Sequence, residues 1–126
     1  MGDIIRKIKG TEDIMPKDVY KWQFVEDVMR QQAESFGYKE VRTPVFEQTS
    51  LFSRGVGETT DVVQKEMYTF STKGDASITL RPEGTAGAAR AFLEHGVQND
   101  GLPSKQYYLT TCYRYDQTHA CGLREI

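Results

Sequence analysis

The chain is poor in most of the features that announce a function by themselves. It has two cysteines in 126 residues, Cys112 and Cys121. Two thiols make no disulfide framework, and their spacing fits no zinc pattern. No apolar run approaches the ~20 residues a membrane helix requires. The opening residues, MGDIIRKIKG, hold no signal-peptide core, and Arg6 stands where a myristoylation motif needs Ser or Thr. A reducing, cytoplasmic setting without a membrane is therefore expected. There is no internal repeat, no low-complexity segment, no Gly-Lys-Ser/Thr phosphate loop and no dinucleotide fingerprint. Any nucleotide must then be held by side chains on a sheet. The net charge is −2, from 16 Lys and Arg against 18 Asp and Glu. That lacks the cationic excess of an overtly nucleic-acid-binding domain and leaves only a local patch. The cluster Arg6, Lys7 and Lys9 is such a patch, although three charges suit a solvated leader equally well.

What is present suits one globular domain with a core: 38% apolar and 27% charged residues. Gly10 and Pro16 break the chain before a long helical stretch from Lys17 or Asp18 to about Phe36. There Tyr20, Phe24 and Val28, with Val25, Met29, Ala33 and Phe36, recur at spacings of three and four. Gly37 is a natural stop. YKEVRTPVF then reads as a strand, with Pro44 incompatible with an ordinary central ladder position. EQTSLFSRGVGETT reads as a helical turn and a glycine-punctuated loop. KEMYTFST and SITLRP, joined by the turn KGDA, predict a hairpin. Glu83 to about His95 reads as a helix, and KQYYLTTCYRYD as one long strand rich in aromatic and β-branched residues. LREI starts a returning strand. The order is α, β, hairpin, α, β: an α+β fold with a largely antiparallel sheet flanked by helices.

Two stretches can carry chemistry. In TLRPEGTAG, residues 79–87, Glu83 and Thr85 sit where a strand gives way to a small-residue helix. A carboxylate there suits the helix macrodipole, worth ~0.3–1 kcal/mol, and Thr85 can meet an unpaired backbone N–H. Alternatively, both face a cleft and hold a cationic donor such as an ammonium group, with Gly84 leaving room for a ligand near the backbone. Ala86, Gly87, Ala88 and Ala89 let this helix lie close beneath a sheet. In YRYDQTHACGLRE, residues 113–125, Tyr113 and Tyr115 share one strand face and Arg114 and Asp116 the other. Arg114 and Asp116 form either a surface pair of little energetic weight or a guanidinium aimed at phosphate or carboxylate oxygens. His119 reads as a solvated loop residue or a contact to RNA or a nucleotide. With only scattered acids around it, it makes no metal site.

Taken together, IKGTEDIMP, GYKEVRTPVFEQTSLFSRGVGETTDVVQKEMYTF, TLRPEGTAGAARAF and YRYD…LREI resemble, in that order, the amino-terminal part of the catalytic domain of histidyl-tRNA synthetases, of the class II synthetase group. The likeness runs from about Lys9 to Ile126. It implies activation of L-histidine by ATP to histidyl-adenylate, assisted by Mg2+, and transfer to tRNA(His); no Mg2+ ligand is assigned. Residues of about 37–70 resemble the family's first motif, which builds a homodimer interface, with Pro44 as its characteristic proline. Residues 79–87 resemble the histidine-site segment, so Glu83, Gly84 and Thr85 would bind the substrate histidine, Glu83 and Thr85 through its α-ammonium. Residues of about 107–126 resemble the second motif. Arg114 would be catalytic, bridging the ATP α-phosphate and the histidine carboxylate as charge develops. Asp116 and Arg124 would help to position ATP.

The resemblance has departures. Asp116 stands where the family usually has Glu. The loop reads THACG where a Pro-Gln-Ala-Gly-Arg-like sequence is usual, so the arginine expected at Gly122 is missing. The sequence given contains neither the segments that would recognise the imidazole ring, nor the third motif, nor an anticodon-binding domain. The chain is therefore expected to be inactive or weak alone, and to self-associate through the first-motif surface or the open edge of the strand at 105–115. The reading from another class is a non-catalytic, synthetase-like regulatory or histidine-binding subunit. The altered loop favours it mildly, and the presence of Glu83, Thr85 and Arg114 favours the synthetase.

Overall fold

The computed structural model describes residues 2–54 and 66–115, and the backbone of 124–125. Helix α1 spans Pro16–Ser35. Pro16 suits the first helical position, where its missing N–H would have had no partner, and Asp18 places a negative charge in the first turn. The helix closes in a Schellman arrangement. Tyr38 N–H donates to Ala33 O (3.1 Å) and Gly37 N–H to Glu34 O (3.0 Å). Gly37 carries the left-handed φ of +83° that this closure needs.

Among the described residues the strands are short and fall into three sheets. Strand β1 (Lys39–Glu40) runs parallel to β5 (Gln106–Tyr107). Strand β2 (Phe46–Gln48), followed by helix α2 (Thr49–Arg54), pairs antiparallel with β4 (Ser77–Leu80). β3 (Thr69–Ser71) flanks the other side of β4. The third sheet joins β6 (Thr110–Thr111) antiparallel to β7 (Arg124–Glu125). The expected hairpin is therefore present. Its turn is closed by Thr72 N–H to Ala76 O at 2.9 Å, with Asp75 at φ +60°, a conformation Asp tolerates better than most residues. Pro44 lies outside the ladders, as expected. The run 105–116 is not one strand. Tyr108 and Leu109 separate β5 from β6, because the chain leaves its ladder with β1 and starts another with β7.

Few of the described residues are buried. Thr79, on the central strand β4, is fully buried, and Phe52 of α2 and Cys112 are nearly so. The buried Thr79 hydroxyl is satisfied: Oγ1 donates to Thr49 Oγ1 (2.9 Å) and shares a bond with Thr69 Oγ1 (2.9 Å), directly opposite it in register. Helix α3 (Thr85–Glu94) packs through its small residues. A Cβ on Gly87 would lie 3.2 Å from Thr43 Oγ1 and 3.4 Å from Glu47 Oε1, so the helix sits directly against 43–47. The stripe of α1 behaves otherwise. Tyr20, Phe24 and Val28 are 60%, 69% and 50% exposed, so these residues do not form core here.

Candidate functional site

The site is built where β4 hands over to α3. Pro82 disfavours helical backbone at the residue before it, which keeps Arg81 extended at the end of β4. From there Arg81 ties three stretches together. Its N–H donates to Val45 O (2.9 Å), and its carbonyl accepts from Tyr113 N–H (2.9 Å). Its guanidinium Nε donates to Thr111 O (2.7 Å), and Nη1 to Thr43 O (3.1 Å) and Pro44 O (3.3 Å). The segment holding Glu83 and the stretch holding Arg114 are thereby held side by side, Glu83 two residues beyond Arg81 and Arg114 one beyond Tyr113.

Glu83 serves first as a helix cap. Its Oε2 accepts from Thr85 N–H at 2.6 Å, and both oxygens accept from Ala86 N–H at 3.1 and 3.2 Å. Gly84, the N-cap by position, has no side chain to do this. The capping reading of Glu83 is thus realised, and it leaves room for another donor. A carboxylate offers about four lone-pair sites, and two backbone N–H groups do not use them all.

Gly84 is explained by a neighbour rather than by backbone conformation. Its φ of −97° and ψ of −21° suit any residue. A Cβ there would stand 2.4 Å from Cε2 of Tyr108. The space over Gly84, expected to admit a ligand, is filled by that ring. The Tyr108 hydroxyl continues past it to share a 2.6 Å hydrogen bond with the Thr85 hydroxyl. Tyr108 and Arg81 are the site residues that the sequence reading missed. Their signals were faint: one tyrosine of an adjacent pair in a strand-like run, and an arginine before a proline.

Gly84 and Tyr108 also line a cavity of about 280 Å3, with Arg30, Glu40, Arg42 and Arg81 in its wall. Glu40 sits between two cations, 2.7 Å from Arg42 Nε and 3.8 Å from Arg30 Nε. The hydrogen bond from Arg42 holds its carboxyl below the ordinary carboxylate value, against a smaller opposing effect of desolvation. Glu83, Thr85 and Arg114 are not among the described residues lining this cavity. Behind α3, the Arg90 guanidinium is anchored on Glu47. Nη2 donates to Oε1 at 3.0 Å, while Nε lies 2.9 Å from Oε2, close enough for charge attraction but poorly aligned for a hydrogen bond. Arg90 also pairs with Glu94, one turn along.

Of the other expected site residues, Arg114 lies beyond the end of β6, between Tyr113, which bonds to Arg81, and Tyr115. Tyr115 N–H donates to Glu66 O at 2.6 Å, and its ring meets Tyr68 edge-on at 6.0 Å. Arg124 is placed through its backbone, in register with Thr111. Asp116, His119 and the rest of the loop 116–123 lie outside the described residues. Among the described residues, no group of three His, Cys, Asp or Glu could hold a metal ion, and no helix is long and apolar enough to cross a membrane.

Known proteins resemble the chain along nearly its whole length. The chain is 58% identical to the histidine–tRNA ligase of Clostridium novyi over 96% of its length, and 54% identical to that of Clostridium perfringens over 97%. It spans about 29% of the length of each of these curated relatives. The crystal structure of apo histidyl-tRNA synthetase from Staphylococcus aureus superposes with a TM-score of 0.76 at 44% identity, over 89% of this chain and 30% of that one. A Bacillus halodurans protein described as an ATP phosphoribosyltransferase regulatory subunit/histidyl-tRNA synthetase gives a TM-score of 0.77 at 20% identity, covering 98% of this chain and 31% of that one. That second likeness is one of fold alone. Residues 10–126 match the family model for histidyl-tRNA synthetase, and on that extent the chain belongs to the histidyl-tRNA synthetase family.

Proposed function

We propose that this chain contributes the amino-acid end of a site that activates L-histidine with ATP. The observation that carries the reading is the bond between Tyr113 N–H and Arg81 O, which sets the Glu83–Thr85 turn alongside the stretch that holds Arg114. Glu83 and the Thr85 hydroxyl take the α-ammonium of the amino acid. Arg114 takes the α-carboxylate and the ATP α-phosphate. The carboxylate oxygen attacks the α-phosphorus, the bond to the β-phosphate oxygen breaks, and histidyl-adenylate and pyrophosphate result. Arg114 offsets the negative charge that grows on the α-phosphoryl oxygens. Asp116 and Arg124 position ATP. In the complete enzyme the histidyl group then passes to tRNA(His). Mg2+ would neutralise phosphate charge; the described residues offer it no cluster of three His, Cys, Asp or Glu. The surface of about 37–70, with Pro44, is the proposed homodimer interface. Identities of 54–58% to histidine–tRNA ligases favour this reading over a regulatory subunit, which the shared fold alone would allow.

The test is histidine titration followed by NMR, suited to weak affinities, on the chain and on Glu83→Gln. The substitution keeps a capping oxygen and removes the charge. Binding to the parent chain and loss in the variant are expected. Equal binding in both removes Glu83 from the ammonium role. Histidine-dependent ATP–pyrophosphate exchange by the chain would show that the remaining parts of the site are dispensable.

A further inference from the structure

Thr85 is exposed, and a hydroxyl on an exposed side chain is a poor recognition element when left alone. It carries one proton and two lone pairs, and it rotates to suit its surroundings. An ammonium ligand brings only donors, so a hydroxyl whose own proton points at the ligand repels it. A hydroxyl whose proton is committed elsewhere presents lone pairs. Tyr108 is placed to receive that proton: the two hydroxyl oxygens lie 2.6 Å apart, and either can donate.

Tyr108 is in turn held by the fit of its ring over Gly84. The missing Cβ of Gly84 is what allows the approach, since a Cβ would be 2.4 Å from Cε2, 2.9 Å from Cδ2 and 3.0 Å from Cζ. Ring and hydroxyl thus act on two successive residues of the turn. The ring fixes where Tyr108 sits against Gly84, and the hydroxyl fixes how Thr85 is turned. Glu83, the third residue of the turn, is fixed separately by the N–H groups of Thr85 and Ala86. Every rotatable polar group of the Glu83–Thr85 turn therefore has a partner that sets its orientation before a ligand arrives.

We propose that Tyr108 is a positioning residue for amino-acid recognition: it accepts the Thr85 hydroxyl proton and so turns Thr85 into a pure acceptor for the substrate ammonium. The proposal rests on the amino-acid reading of this site given above. Tyr108 itself touches no substrate in it. Its effect is specific to the amine, because the Thr85 lone pairs have no role toward a ligand that lacks one.

The experiment compares histidine with imidazolepropionate, its analogue without the amine, by NMR titration of the chain. Variants are Tyr108→Phe, Thr85→Val and the pair combined. Tyr108→Phe keeps the ring over Gly84 and removes only the hydroxyl. The preference of the chain for histidine over the analogue is expected to fall about fivefold to tenfold in Tyr108→Phe, the scale of one hydrogen bond. In the Thr85→Val background, Tyr108→Phe is expected to change the preference no further, since the two act as one unit. Gly84→Ala perturbs the same contact from the other side and is expected to lower the preference as Tyr108→Phe does. It serves in its place should the phenylalanine variant not fold. A merely structural role predicts equal losses for both ligands and an unchanged preference, and that result overturns the proposal while leaving the amino-acid reading intact. A parent chain with no preference for the amine-bearing ligand overturns both.

Discussion

Helices α1 and α3 make opposite use of their sequences. α1 has 20 residues and a stripe of large apolar side chains, yet none of its residues is buried. α3 has ten residues, begins with Thr-Ala-Gly-Ala-Ala, and buries Gly87 against the chain at 43–47. Apolar bulk therefore does not decide which helix is integrated. α3 is integrated because it is small-faced, capped by Glu83 and anchored by the pairing of Arg90 with Glu47. The end of α1 is tied to the chain at 105–107 by polar bonds: Tyr107 OH donates to Glu34 Oε1 at 3.0 Å and Lys105 Nζ to Phe36 O at 3.2 Å. The site is built on the small-faced helix, and the apolar stripe is left for another surface to cover.

The contrast is open to attack at both helices. Gly87→Leu should do the most damage. Its Cβ meets Thr43 and Glu47 at once, and overpacking of this kind costs about 1–3 kcal/mol; urea unfolding that shows no loss would mean that α3 is not tightly seated. Phe24→Ser on α1 should change protomer stability by no more than about 0.5 kcal/mol, as expected for an exposed position. It should instead weaken self-association in sedimentation, if that stripe is what a second copy covers. A large drop in stability with unchanged association would reverse the comparison. Glu40, facing Arg30 of α1 and its own neighbour Arg42, should contribute least. Its folded-state pKa is lowered, so its contribution is complete above the ordinary carboxylate value and disappears as pH falls through the lowered value. Melting temperatures of the parent and Glu40→Gln should differ slightly near neutrality and converge in acid. A gap that widens in acid would contradict the sign.

Much of this was legible in the sequence, and the exceptions share a cause. The limits of α1, the hairpin around Asp75, the small-residue packing of α3 and the position of Pro44 outside the ladders follow from local chemistry, and they appear where local chemistry puts them. The run 105–116 was misread as one strand because β propensity reports suitability for a ladder and says nothing of which neighbour supplies it; here two neighbours do. The exposure of the α1 stripe was not legible either, because periodicity identifies an apolar face without saying what covers it. At the site, Glu83 and Thr85 were visible through their place before a helix. Tyr108 and Arg81 were not, because their importance lies in contacts with residues more than 20 positions away.

Arg81 also makes the turn answerable to a distant part of the surface. One guanidinium nitrogen is shared between the carbonyls of Thr43 and Pro44, and another is bound to the carbonyl of Thr111. The carbonyl at Pro44 cannot shift without either losing that donor or drawing Arg81 after it, and the Glu83 turn begins two residues further on. Whatever presses on the Pro44 surface therefore has a mechanical lever, one side chain long, on the geometry of the turn.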